Sequence, residues 1–509
     1  MNIKEAKEEI ARSVEIYLDK NEYGEYNIPH IKQRPIFLIG APGIGKTAIM
    51  EQVASELGIA LVAYSMTHHT RQSALGLPFI QEKQYGGKTV MVSEYTMSEI
   101  VASVYQVMEE SGKQEGILFL DEINCVSETL APAMLLFLQY KIFGNHSLPK
   151  GWVVVTAGNP PEYNKSVKEF DVATLDRLKC LTVEEDFGVW KPYAYQNGIH
   201  TAIITFLEIN PEWFYSIRTT PDGVQYVTAR GWEDLSRAVS IYEKKKFAVD
   251  RKLIRQYITD TEIASKFGIY YDLFQKYQAE YKVEDILQGT ADEQLMERAE
   301  EAAFDERVSL LGLILEKLNT QFFQAVHQEA VLERVVKVLR SVKKKLQKAE
   351  DGQEDFIPQQ LHIYITEVDS QWNHEAAAHS LSTVQRAEYR DTLILLKQYA
   401  VECAKASTSV KQFQIVKKSF DGLVKKHQKQ VQDTKQALEN VFAFIRKVWK
   451  SGQEMILFMT ELTANADSMY FIELWGSDSY FQHNRDLLIY DVHQNLQKEI
   501  MELGLDMSK

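Results

Sequence analysis

Pro35-Ile-Phe-Leu-Ile-Gly40-Ala-Pro-Gly-Ile-Gly-Lys-Thr47 is an apolar run that ends in a glycine-rich loop. From Ala48 to Leu57 the pattern continues as a helix. The segment Gly40 to Thr47 has the form G-x-x-x-x-G-K-[ST] with a strand before it and a helix after it. Its glycines let successive backbone N–H groups converge on phosphate oxygens, and the N-terminus of the helix adds a favourable field. Gly40, Ala41, Pro42, Gly43, Ile44, Gly45, Lys46 and Thr47 are therefore expected to line a nucleotide site. Lys46 is expected to reach the β- and γ-phosphates of ATP, and the Thr47 hydroxyl to ligate Mg²⁺. A mere tight turn would not need the Lys-Thr pair.

Working outward, Ile59–Tyr64, Gly116–Asp121 and Trp152–Ala157 are further short apolar runs separated by helical stretches, as buried parallel strands require. An amphipathic helix with Ile10, Val14, Tyr17 and Leu18 on one face precedes them. Parallel strands with helical crossovers build an open α/β sheet, which binds ligands beyond the carboxyl ends of its strands. At one such end stand Asp121 and Glu122, the first suited to hold Mg²⁺ through water and the second to polarise the attacking water. At another stands Asn159, an amide that can contact the γ-phosphate or position the lytic water. Two arginines follow, Arg177 in Ala173-Thr-Leu-Asp-Arg177 and Arg230 in Val227-Thr-Ala-Arg230. A guanidinium on the transferring phosphoryl group is worth about 10³–10⁵ in rate in GTPases.

Composition sets the outer limits. The chain has 509 residues, with 57 Lys+Arg against 71 Asp+Glu and a net charge of −14. That balance does not favour a phosphate backbone as partner, and nucleic acid is not expected. Three widely spaced cysteines, Cys125, Cys180 and Cys403, suit a reducing compartment, hence the cytoplasm. Neither a signal peptide nor a membrane span is expected. Eleven of the twelve prolines lie at or before Pro221, so an alternating β/α segment is expected to give way to long helices. The expected domains are an α/β ATP-binding domain over 1–190, a helical lid over 191–278 and an α-helical extension over 279–509. In the last of these, Leu332, Val335, Leu339, Val342 and Leu346 follow the 3-4 spacing of a helical seam. Ala349 to Asp355 reads as an acidic loop, and Lys405 to Lys450 carries a net +8. That excess suits a solvated helix face, with an acidic partner as the sharper alternative.

The order of these motifs resembles the AAA+ ATPases, and within them the MoxR-like family of the helix-2-insert group. Thr67 to Pro78 falls where that family carries its insert, and Leu138 to Pro149 where it places a β-hairpin before the sensor strand. Thr156-Ala-Gly-Asn-Pro160 matches its sensor turn. The resemblance implies an AAA+ P-loop core with a parallel sheet, then a helical lid. It further implies a ring, usually hexameric, with ATP between subunits. Arg177 would act in trans and Arg230 would be the sensor-2 arginine, serving its own or a neighbouring site. Leu178-Lys179-Cys180 departs from the family's usual Arg-Phe continuation. Family members remodel or mature partner proteins, often ones with a von Willebrand factor A domain.

Other classes fit less well. A nucleotide-gated scaffold could dispense with Glu122, and a nucleic-acid motor would have to overcome the acidic balance. His68-His69 has no third ligand at metal spacing, and Cys125 reads as a packing residue. Trp213 to Tyr215 and Tyr270-Tyr271 read as aromatic clusters on helices.

Overall fold

The computed structural model describes residues 1–161, 163, 167–168, 170–220, 223–347, 356–378, 381–404, 406, 408–450 and 452–485. The expected loop over Ala349–Asp355 lies outside the described residues. The chain divides into two compact units, one of residues 1–189 with 360–397 and one of 190–359 with 398–509.

The first unit is a five-stranded parallel sheet. Its strands are β1 (Ile36–Gly40), β2 (Ala60–Ser65), β5 (Gly116–Asp121), β8 (Trp152–Gly158) and β9 (Lys179–Val183), in the order β2-β5-β8-β1-β9. Helices α1 (Ile3–Leu18), α2 (Lys46–Leu57), α3 (Arg71–Leu75), α4 (Glu99–Ser111), α5 (Ala131–Tyr140) and α6 (Val172–Leu175) alternate with them. This is the expected α/β core. Asn2 and Glu5 form a capping box at the start of α1, which buries Ala6, Ile10 and Val14. β8 is buried along its whole length, the signature of a central strand covered on both faces. In register, Ile39 pairs with Gly158, Leu120 with Thr156 and Ser65 with Asp121, so the four carboxyl ends share one edge. Below that edge lie Phe119, Phe137, Phe143 and Trp152, all fully buried. Each such ring contributes on the order of 2–3 kcal/mol of transfer free energy.

Two hairpins interrupt the alternation. β6 (Ile142–Phe143) and β7 (His146–Ser147) form the one expected before the sensor strand. The other, β3 (Pro78–Tyr85) with β4 (Lys88–Tyr95), turns at Gly86-Gly87, both with positive φ as a two-residue hairpin loop demands. Ile80 and Met91 are exposed on one of its faces, Tyr85 and Val90 on the other.

Lys141 caps α5 with φ 58° and is only 1% exposed. Its Nζ donates to the carbonyls of His30 and Gln33. Burial pushes its ammonium down from 10.5 to about 8. Between those values the unfolded chain holds a proton that the folded chain releases, so stability rises with pH, by on the order of 1.4 kcal/mol per pH unit. Below pH 8 both states hold it and the desolvation cost is present in full. Lys141→Met is expected to flatten this rise, read as denaturant midpoints across the alkaline window. An equal rise in the variant would assign the effect to other groups.

The second unit is helical apart from one hairpin, β10 (Ser216–Thr220) with β11 (Gly223–Val227). It begins within α7 (Phe187–Gln196) and continues through α8 (Thr201–Ile209), α9 (Ala229–Lys244), α10 (Arg251–Tyr257), α11 (Thr261–Glu280), α12 (Val283–Gln288) and α13 (Glu293–Glu301). Then come α14 (Phe304–Leu346), α17 (Ser409–Val448), α18 (Gln453–Ala464) and α19 (Ala466–Trp475), while α15 (Phe356–Ala377) from residue 360 and α16 (Thr383–Cys403) up to residue 397 belong to the first unit. Phe206, Trp232, Phe267 and Tyr270 form an aromatic core, with ring centroids 5.2 to 5.9 Å apart around Phe206. Tyr270 and Tyr271 lie on a helix as expected, but Trp213 ends a 3-10 turn that leads into β10. Leu332, Val335, Leu339 and Val342 are buried along α14, the seam their spacing predicts. Among the described residues no helix is long and apolar enough to cross a membrane.

Candidate nucleotide site

The loop between β1 and α2 is built by its glycines. Gly43 and Gly45 take φ of 78° and 96°, conformations that a side chain would strain. At Gly40 an added Cβ would stand 2.7 Å from the Val183 carbonyl oxygen of β9, so the loop start is closed against its neighbour. The first turn of α2 then begins at Lys46.

Lys46 is 7% exposed. Its Nζ donates to the Gly40 and Ala41 carbonyls at 2.8 and 2.9 Å and to Asn159 Oδ1 at 2.9 Å. The Lys46 ammonium and the Asn159 amide are thus one hydrogen bond apart. Thr47 Oγ1 donates to Asp121 Oδ2 at 3.0 Å, and the Glu122 amide donates to Asp121 Oδ1 at 2.9 Å. A hydroxyl and a carboxylate converging beside the loop are hard oxygen donors of the kind Mg²⁺ takes, one or two from protein and the rest from phosphate and water. Among the described residues no group of three or more His, Cys, Asp or Glu could hold a metal by itself. The donor set therefore fits Mg²⁺ that arrives with a nucleotide.

Glu122 sits in the left-handed region, φ 56° and ψ 36°, at a cost of roughly 1–2 kcal/mol for a residue with a Cβ. Its Oε2 accepts from Ser65 Oγ and Thr67 Oγ1, each at 3.0 Å. These hydroxyls hold the carboxylate at the end of β2. Neither carries a signal in the sequence: the apolar run of β2 stops at Tyr64, and Thr67 reads as the start of the insert.

No sequence signal marks Asn124 either. It is buried, and its Nδ2 donates to the Asn159 carbonyl at 2.8 Å, which fixes the backbone of the sensor turn. It also lies directly under Gly158, where an added Cβ would come within 2.5 Å of Asn124 Oδ1. Gly158→Ala is therefore expected to cost about 1–3 kcal/mol by overpacking, and clearly less in an Asn124→Ala background. A denaturant double-mutant cycle measures the difference, and equal costs in both backgrounds would refute this packing account.

Arg177 follows α6, exposed, with Nη1 donating to the Ala173 carbonyl at 3.3 Å. Arg230 is the second residue of α9 in the other unit and is also exposed. The structure thus brings together Gly40–Thr47, Asp121, Glu122 and Asn159, with each arginine on a surface of its own unit. Burial, and then the charges of Glu122 and Asp121, push the Cys125 thiol up, so it is no thiolate nucleophile.

Residues 36–164 match the family model described as ATPase family associated with various cellular activities (AAA). The span runs from the first residue of β1 past the sensor turn and contains Ser65, Thr67, Asp121, Glu122, Asn124 and Asn159. No curated protein sequence matches the chain.

Proposed function

We propose that this AAA domain is a Mg²⁺-dependent ATP hydrolase of MoxR type, working in a hexameric ring in the cytoplasm to remodel or mature a partner protein. The observation that carries the hydrolase reading is the 2.9 Å bond from Lys46 Nζ to Asn159 Oδ1, which sets the sensor amide beside the phosphate-binding lysine. The subfamily reading is supported by α3 and the β3–β4 hairpin, inserted between β2 and α4, and by β6–β7 just before β8. The von Willebrand factor A client rests on the resemblance alone.

ATP lies with its phosphates over the backbone N–H groups of Gly40–Thr47. Lys46 exchanges its carbonyl partners for the β- and γ-phosphate oxygens, a gain because a charged acceptor makes the stronger bond. Mg²⁺ would be held by Thr47 and, through water, by Asp121, and would supply neutralisation of the charge on the transferring phosphoryl group. Glu122 takes a proton from the water that attacks the γ-phosphorus. The bond from that phosphorus to the β,γ-bridging oxygen breaks, and ADP leaves with the electron pair. Asn159 Nδ2 is left to donate to a γ-phosphate oxygen, since its Oδ1 faces Lys46. Arg177 from a neighbouring subunit and Arg230 stabilise the developing charge.

The test is Mg·ATP turnover per subunit over a wide range of protein concentration. A rise with concentration is expected, because Arg177 completes a neighbour's site. Turnover that is flat down to monomer concentrations would remove the trans role. Tight ATP binding without turnover would replace the hydrolase with a nucleotide-gated scaffold.

A further inference from the structure

The helical unit carries opposite charge at the two ends of one long helix pair. α14 and α17 run antiparallel, with His427 on α17 bonded to Glu329 on α14 at 2.7 Å. At one end α17 is tied to the short helices before α14: Asn440 Nδ2 donates to the Leu287 carbonyl at 2.8 Å and Trp449 Nε1 to the Ala299 carbonyl at 2.7 Å. That end is acidic on balance: residues 280–307 hold ten Asp/Glu against three Lys/Arg, and the end of α17 adds exposed Arg446, Lys447 and Lys450, for a net of −4. Between α13 and the start of α14 a cleft of about 440 Å³ is lined by Glu297, Glu301 and Glu306, with Arg298. Arg298 pairs with Glu306 at 3.4 Å and also with Glu280, and Arg307 with Glu454 at 2.8 Å. Glu297, Glu300 and Glu301 remain exposed.

The other end is basic. Residues 337–345 of α14 and 411–429 of α17 hold eleven Lys/Arg and one acid, Asp421. All eleven cations are exposed. Lys411, Lys418, Lys425 and Lys429 fall within a narrow stripe at helical spacing, opposite buried Gln412, Val416 and His427. Glu333 borders this end, Glu402 accepts there from Ser419 at 2.9 Å, and Lys348, Glu350, Asp351, Glu354 and Asp355 follow α14 in the sequence, which together leave a net of +5 at this end in a chain of net −14.

The two ends cannot satisfy each other within one copy. Along α14, Glu306 and Lys337 are separated by about 45 Å at 1.5 Å per residue, against a screening length near 10 Å. We infer that the basic end of the α14–α17 pair docks on the acidic end of the same pair in a second copy of this chain, a head-to-tail contact between helical units. The lysines of the stripe reach into the acidic cleft of the neighbour, where Glu297 and Glu301 meet them. A head-to-tail contact is heterologous, so it propagates around a ring or along a filament and does not stop at a dimer. Charge complementarity chooses this occupant over a polyanion, because the acidic remainder of the chain repels one and the patch holds ten lysines to a single arginine, without the fork that favours phosphate.

The test uses the full chain without nucleotide, so that its outcome is independent of hydrolysis. Equal amounts of isotopically light and heavy copies are treated with a carbodiimide, which joins only carboxylates and amines already in contact. Mixed light-heavy links between Lys411, Lys417 or Lys418 and Glu297, Glu300 or Glu301 are expected, and to fade as salt rises to about 0.5 M. The set Lys411→Glu, Lys417→Glu, Lys418→Glu and the set Glu297→Lys, Glu300→Lys, Glu301→Lys should each abolish the links. Combining both sets in one chain should restore them, with amine and acid exchanged. A misfolded variant could not give that rescue. Absence of mixed links in the native chain at low salt overturns the proposal. So does their survival in either single set.

Discussion

Glu122→Gln is expected to lower Mg·ATP turnover by about 10²–10⁴-fold while ATP still binds. The amide keeps the size of the side chain and can still accept from Ser65 and Thr67, so the local geometry persists. It cannot take the proton of the attacking water. Binding rests on other groups, the loop amides and Lys46. Single-turnover hydrolysis and equilibrium nucleotide binding, measured on the same sample, separate the two. Unchanged turnover would end the assignment of Glu122 as base, and lost binding would show that the substitution disturbed the loop.

Lys46→Ala is expected to act on binding first. Truncating one partner of a buried, hydrogen-bonded charge pair costs about 2–5 kcal/mol, roughly 30- to 5,000-fold in affinity. Lys46 would meet that condition once phosphate pairs with it, because its ammonium is already buried against the neutral oxygens of Gly40, Ala41 and Asn159. Without nucleotide the variant leaves the Asn159 Oδ1 acceptor without its lysine. Its thermal midpoint should shift little compared with the loss of ligand stabilisation at saturating ATP. The thermal midpoint with and without Mg·ATP reads both effects. A full ligand-induced rise in the variant would mean that Lys46 does not touch the phosphates.

The parts of the fold that could be read in advance are those where burial leaves a continuous mark. β1, β5 and β8 are covered on both faces, so their sequences are near-continuous apolar runs, broken only by Asp121 at the end of β5 and Thr156 in β8. β9 is an edge strand whose Lys-Cys-Leu-Thr-Val buries only Leu181 and Val183, and a half-buried strand of five residues carries no comparable run. β10, Ser-Ile-Arg-Thr-Thr, is exposed or half-buried throughout and left no apolar trace. Nothing between residues 360 and 397 announces that this stretch packs with the sheet unit, because a helix face does not encode which body it meets. In the site, the residues expected to bind phosphate and metal belong to strings with fixed spacing. Ser65, Thr67 and Asn124 act through hydroxyls and an amide brought close by sheet register, and no string marks them. The +8 of the C-terminal segment was visible as composition. Its partner cations on α14 joined it only once the antiparallel pairing was known.

The β3–β4 hairpin has a consequence of its own. Two strands with both faces in solvent have little besides their own cross-strand bonds to hold them, and such a pair is marginal in water. Its amides therefore trade deuterium through local opening, long before those of β8, whose bonds break only when the whole sheet melts. A protease that cuts after aromatic residues finds Tyr85 at the exposed tip beside Gly86, so a nick there divides the chain between β3 and β4 while the buried sheet stays folded.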